Sequence, residues 1–173
     1  MGSPAHLERS PVAPPRLPGS YLVVELTNRC SLRCVHCAVA EKGHPHHVRT
    51  GMMDPTIFEA VVDDLVRVGG SFDSLVLFWL GEPLLHPLFD QLRRHALRAA
   101  ERHATFGRIE VHTNATHLSE RRTRALLNGA QTPQTLHFSL DAIDRDRYHK
   151  IKGVDRFQEV RSNVEHFVAR KVA

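Results

Sequence analysis

The sequence predicts an α/β domain built on a parallel sheet. Two observations predict it. Short apolar, strand-like runs alternate four times with segments of helical period, a pattern that demands helical crossovers between parallel strands. The residues capable of chemistry also fall just after the strand-like runs, at the carboxyl ends where parallel sheets bind ligands.

The elements follow in order. Residues 1–20 hold five of the ten prolines, among them Pro11, Pro14, Pro15 and Pro18, and are expected to form a flexible, Pro-rich tail. The domain proper is expected to span residues 21–173. Tyr21-Leu-Val-Val-Glu-Leu26 reads as the first strand. After a cysteine-bearing segment and a polar loop, Asp54-Pro55 opens a helix, with Asp54 as the cap and Pro55 at the first helical position. Ile57, Val61, Leu65 and Val68 give that helix an apolar face, and Gly69-Gly70 ends it. Leu75-Val-Leu-Phe-Trp79 is a buried-strand run in which Phe78 and Trp79 are expected in the core. Leu88, Leu92, Ala96 and Ala99 mark the second helix. Arg108 to Thr113 is the third strand, Ser119 caps a third helix that stops at Asn128-Gly129, and Leu136 to Leu140 is the fourth strand. Asp155 and Gln158 form a capping box for a last helix whose face carries Phe157, Val160, Val164 and Phe167.

Composition narrows the function classes. At 42% hydrophobic and 24% charged, the 173-residue chain has the make-up of a folded domain rather than a disordered one. The formal charge is +4 with basic residues spread along the chain, which argues against a nucleic-acid partner, since such proteins concentrate charge in a stripe. No apolar run approaches the roughly 20 residues a bilayer span needs, and the N-terminus has no apolar signal core. A cytoplasmic protein without a membrane partner is expected. The three cysteines, Cys30, Cys34 and Cys37, crowd into one stretch. An odd, clustered set reads better as metal ligation than as disulfides.

The cysteine segment, Cys30-Ser-Leu-Arg-Cys34-Val-His-Cys37, has C-x3-C-x2-C spacing. One loop can wrap such thiolates around a single iron–sulfur cluster. A four-iron cluster usually takes four cysteines; three would leave one iron open to a ligand. On spacing alone structural zinc stays open too, with His36, His44, His46 or His47 completing a Cys3His set. His44, His46 and His47 also read as a solvated loop. The other rim residues have plain readings as well: Glu82 as an exposed loop acid, Asn114 as a turn former, Ser139 as a core hydroxyl, Asp141 as a helix cap.

Together these segments resemble a known family. Glu25-Leu-Thr-Asn-Arg-Cys30-Ser-Leu-Arg-Cys34-Val-His-Cys37 is similar to the signature of the radical S-adenosylmethionine (SAM) superfamily. Leu80-Gly-Glu-Pro83-Leu-Leu-His-Pro87 resembles its second motif, and Val111-His-Thr-Asn114 and Phe138-Ser-Leu-Asp-Ala142 resemble its third and fourth strand motifs. Lys150-Ile-Lys-Gly153, with Phe157 and Asn163, is similar to members carrying a SPASM or twitch domain. The resemblance covers about Tyr21 to Val168. It implies a partial (β/α) barrel and an enzyme in which Cys30, Cys34 and Cys37 ligate three irons of a [4Fe-4S] cluster. SAM would chelate the fourth. His36 would lie beside the adenine, Gly81-Glu82-Pro83 would meet the methionyl ammonium, and Asn114, Ser139 and Asp141 would reach the ribose and methionyl carboxylate. The reaction implied is reductive cleavage of SAM to a 5′-deoxyadenosyl radical that abstracts hydrogen from a substrate. It needs a reducing partner such as flavodoxin or ferredoxin. The competing functions are a non-catalytic zinc or cluster module and an inactive remnant.

Two departures from the family carry consequences. Ala115 follows Asn114 where many relatives have glycine, which restricts the backbone if a positive φ is needed. The sequence also supplies four βα units where the resembled core has six. A fragment, a truncated gene product or one half of a split enzyme is expected, with the strand 4 edge open and a C-terminal half as its natural partner.

Overall fold

All four strand-like runs form strands, and they pair in sequence order. The computed structural model describes residues 19–38 and 49–172; the expected tail falls almost wholly outside them, as do His44, His46 and His47. The strands are β1 (Tyr21–Val24), β2 (Phe72–Leu77), β3 (Phe106–Thr113) and β4 (Gln134–Phe138). They form one parallel sheet of order β1-β2-β3-β4. The helices are α1 (Pro55–Arg67), α2 (Phe89–His103), α3 (Glu120–Leu127), α4 (Arg145–Lys152) and α5 (Phe157–Val172), with a 3-10 turn at Pro83–Leu85.

Local chemistry explains most boundaries. The Asp54 carboxylate accepts from the Thr56 N–H at 2.9 Å, with Pro55 next to it at the helix start. Ser119 accepts from the Arg122 N–H at 3.3 Å to start α3. Burial alternates along β3 from Ile109 to Thr113. Leu75, Leu77, Ile109 and Val111 are fully or almost fully buried against the helices with Phe89, Leu92 and Phe106. Each such side chain contributes about 1.5–3 kcal/mol of burial. The opposite face carries Ser74, Val76, Phe78, Glu110, His112, Thr135 and His137, set by the pairings Val76↔Glu110, Glu110↔Thr135 and His112↔His137.

Three expectations are corrected, and a fourth gains a second role. α1 packs through Phe58 and Val62, while Ile57 is 55% exposed and Val61 and Val68 are also exposed. The helix has apolar residues on two adjacent stripes, and the core takes the stripe with the aromatic ring. Trp79 lies beyond the end of β2 and is 59% exposed, whereas Phe78 is half-buried against the His112 ring, 4.7 Å between centroids. The segment before α5 contains an additional helix, α4, capped by Asp144, whose carboxylate accepts from the Arg147 N–H at 2.9 Å, and ended by Gly153 at φ +67°. Asp155 serves both neighbours: it accepts from the Phe157 N–H at the head of α5 and from Arg145 Nε at 2.8 Å.

Candidate functional site

The loop after β1 carries the three cysteines, and the turn after β2 locks beneath it. The Glu25 carboxylate accepts from the Leu80 and Gly81 N–H groups at 2.8 and 3.0 Å. The Glu82 N–H donates to the Arg29 carbonyl at 2.8 Å. Gly81 is tucked so tightly that a Cβ there would lie 1.8 Å from the Thr27 carbonyl oxygen. Its φ is not in the left-handed region; the glycine is demanded by close approach of two backbones.

Glu82 is not the exposed acid of the plain reading. It is 2% exposed, and its carboxylate is fully engaged. Oε1 accepts from Leu84 N–H at 3.0 Å and Thr113 Oγ1 at 2.7 Å, and Oε2 accepts from Asn114 N–H at 2.7 Å. Burial raises its pKa, opposed by those donors and by the charge of Lys152. The side chain therefore ties the β2 turn to the end of β3.

Asn114 connects β3 to the cysteine loop. Its Nδ2 lies 3.5 Å from both Cys30 Sγ and Ser31 Oγ, while Oδ1 accepts from the Thr116 N–H and hydroxyl at 3.0 and 2.7 Å. Ser31 and Thr116 hydroxyls meet at 2.6 Å. Ala115 adopts φ +61° and is fully buried. The left-handed conformation anticipated at this position is thus adopted by an alanine, at a cost of about 1–2 kcal/mol. The Asn163 amide helps hold it, donating to the Ala115 carbonyl at 2.9 Å.

At the end of β4, Ser139 continues the ladder, its N–H donating to the Thr113 carbonyl at 2.9 Å. Asp141, at φ +59°, accepts from Lys152 Nζ at 2.7 Å, and His36 Nε2 lies 3.6 Å away. His36 is otherwise exposed.

Sequence reasoning noticed Lys152 and Gly153 only as part of a motif; their position gives them a task. Lys152 is 2% exposed. The carbonyls of Lys152 and Ile151 accept from the Arg33 and Val35 N–H groups, both at 2.9 Å. A Cβ on Gly153 would lie 2.4 Å from the Arg33 carbonyl. The carboxyl end of α4 is therefore a backstop for the cysteine loop. Its signal in the sequence was Asp144 as a cap and Gly153 as a stop, with the eight residues of the helix between them.

Cys30, Cys34 and Cys37 are near enough to feel one another's charge, yet their sulfurs do not form a trio within 4.8 Å, a spacing that Glu110, His112 and His137 do meet among the described residues. Cys30 is exposed at its surface, but the protein packed around its base raises its thiol pKa, with Glu82 adding to the effect and Asn114 opposing it. Burial also raises Cys34, opposed by Lys152. Both would be thiols at neutral pH until a metal displaces the proton.

Known structures share this architecture. The chain resembles anSMEcpe solved with bound AdoMet at a TM-score of 0.67 and 21% identity, covering 91% of this chain and 42% of that one. It resembles BtrN solved with AdoMet and 2-DOIA at a TM-score of 0.55 and 22% identity, covering 81% and 54%. At these identities the likeness is one of fold. In sequence, the GTP 3′,8-cyclase of Chlorobaculum tepidum is 26% identical over 149 residues, 86% of this chain and 41% of the relative. A probable GTP 3′,8-cyclase of Methanocella arvoryzae is 29% identical over 130 residues, 75% and 36%. The chain thus spans about two fifths of the length of these relatives. The model of the Radical SAM superfamily matches residues 24–173, and this chain belongs to that superfamily.

Proposed function

We propose that this chain carries the cluster-binding and SAM-binding half of a radical SAM enzyme. The observation that carries the reading is the contact of the third-strand motif with the cysteine loop, Asn114 Nδ2 against Cys30 Sγ, directly above the turn that Glu82 anchors. Four segments far apart in sequence meet on one rim.

In this reading Cys30, Cys34 and Cys37 hold three irons of a [4Fe-4S] cluster. The bound cluster supplies an electron that cleaves SAM and starts hydrogen abstraction from a substrate. The residues of the chain orient and shield. The backbone of the Gly81-Glu82-Pro83 turn accepts the methionyl ammonium while the Glu82 carboxylate keeps that turn rigid. Asn114, Ser139 and Asp141 line the approach to the ribose and methionyl carboxylate, with Lys152 fixing Asp141, and His36 flanks the adenine. The proposed partners are SAM, a flavodoxin- or ferredoxin-type reductant, and a C-terminal half supplied in cis or in trans; the proposed setting is the cytoplasm. No described helix is long and apolar enough to cross a membrane.

Anaerobic reconstitution tests the reading. The expected result is about four iron and four sulfide per chain, a change in the reduced-cluster spectrum on adding SAM, and loss of loading when any of the three cysteines becomes alanine. Stoichiometric zinc with no labile sulfide would overturn it in favour of a zinc module.

A further inference from the structure

The face of the sheet away from the helices holds a second group of metal-ligating side chains that the proposed cluster site does not use. Glu110 and His112 are two residues apart on β3, so both project from that face. His137 is the direct cross-strand partner of His112 on β4. Their ligand atoms all lie within 4.8 Å of one another. Glu110 Oε2 is 3.8 Å from His112 Nε2 and 3.5 Å from His137 Nε2. Ligands about 2.0–2.1 Å from a tetrahedral zinc sit roughly 3.3 Å apart, so each carboxylate–imidazole pair would contract by only a few tenths of an ångström, and the two imidazoles start within 4.8 Å of each other.

The surroundings favour ligation. Ser74 Oγ donates to Glu110 Oε1 at 2.8 Å, which fixes the carboxylate and leaves Oε2 to the histidines, as the outer partners of metal ligands do. The His112 ring is held between Phe78, 4.7 Å away, and His137, 4.2 Å away. Its Nε2 is buried and makes no hydrogen bond among the described residues, although a buried polar atom ordinarily has a partner. His137 is exposed, so an ion and a fourth ligand have a way in. The competing account is a charge cluster without metal, in which Glu110 is balanced by Arg108 and the two histidines.

We propose that Glu110, His112 and His137 form a binding site for one divalent transition-metal ion of the zinc class, on the open face of the sheet beneath the rim. Two imidazoles and one carboxylate suit zinc and its neighbours over magnesium or calcium. The fourth position faces away from the sheet and is open to water or a small ligand.

Cobalt(II) tests the site, because thiolate ligation produces intense near-ultraviolet charge-transfer absorption that imidazole and carboxylate ligation does not. In a variant with Cys30, Cys34 and Cys37 all replaced by serine, the trio should bind one Co2+ with weak visible bands only, and zinc should displace it. His112→Gln or His137→Gln should weaken binding at least ten-fold. Should the triple variant fail to fold, the cluster-loaded parent is dialysed against zinc and analysed for metal. It should hold one zinc beside its iron, and His137→Gln should lose the zinc and keep the iron. Absence of stoichiometric cobalt or zinc overturns the proposal in favour of the charge cluster. Binding that survives both histidine replacements overturns it as well, placing the ion on other residues such as His44, His46 or His47.

Discussion

The turns after β2 and after β4 each place an acid at the rim of the sheet, and they hold it in opposite ways. Glu82 is buried, with three donors from two strand ends on its carboxylate. Asp141 is partly exposed, sits in a left-handed backbone conformation, and leans on the single ammonium of Lys152. The β2 turn is part of the core, closed around neutral and backbone donors. The β4 turn is an ion pair between an exposed acid and a buried base, so its integrity depends on α4 staying docked. Residues of one functional rim thus differ in what their loss should damage: the fold at one end, the fit of the cysteine loop at the other.

The largest effect expected is at Gly81. Gly81→Ala puts a methyl group into the Thr27 carbonyl, with the Arg29 carbonyl 2.9 Å away on the same side. Backbone cannot rotate aside as a side chain can, so a loss of about 3 kcal/mol or more is expected, measured by thermal or urea unfolding. A near-neutral result would mean the two loops are separable and the comparison collapses.

Next comes Glu82→Ala. It leaves the Leu84 and Asn114 N–H groups and the Thr113 hydroxyl without their acceptor, at about 2–4 kcal/mol, and should depress iron loading together with stability. Should a folded, fully loaded Glu82→Ala protein lose only its response to SAM, the carboxylate itself meets the cofactor and the two acids are alike after all.

Lys152→Met sharpens the other half. It removes the partner of Asp141 and the positive charge that lowers the Cys34 pKa. The unpaired Asp141 charge then pushes Cys34 in the same direction as burial. The Cys34 thiolate fraction at any given pH falls, so the pH profile of its alkylation by iodoacetamide in the cluster-free protein should move to higher pH. A loss of stability of about 1–3 kcal/mol is expected, smaller than at Glu82 because Asp141 retains access to water. An unmoved alkylation profile would show that α4 does not act on the cysteine loop through this charge.

Ala115→Gly should change least. Relief of the left-handed strain, about 1–2 kcal/mol, is offset by the lost burial of one methyl group, about 0.8 kcal/mol, and by the added freedom of glycine in the unfolded chain, about 0.4–1 kcal/mol. A net change within about 0.5 kcal/mol in unfolding stability is the outcome to check. A large gain would mean the Asn163 contact does not support this backbone.

Local chemistry made much of the molecule legible in the sequence alone. Asp54 and Ser119 cap helices through donors two or three residues away, and strand-to-helix alternation implied parallel pairing, because helical crossovers join parallel strands; the order β1-β2-β3-β4 came from the structure. The cysteine spacing and the rim motifs pointed to one end of the sheet. What depends on partners distant in sequence was not legible. Two stripes of α1 were apolar, and only packing into the core chose Phe58 and Val62. α4 has too weak an apolar period to announce itself, and is held by capping and by docking under Arg33 and Val35. Glu82 looked like a ligand because of its motif; its three donors come from the next residues and from the end of another strand. The register of β3 against β4 sets His137 beside His112, a juxtaposition no spacing along the chain encodes, since a one-residue slip would turn each side chain to the other face.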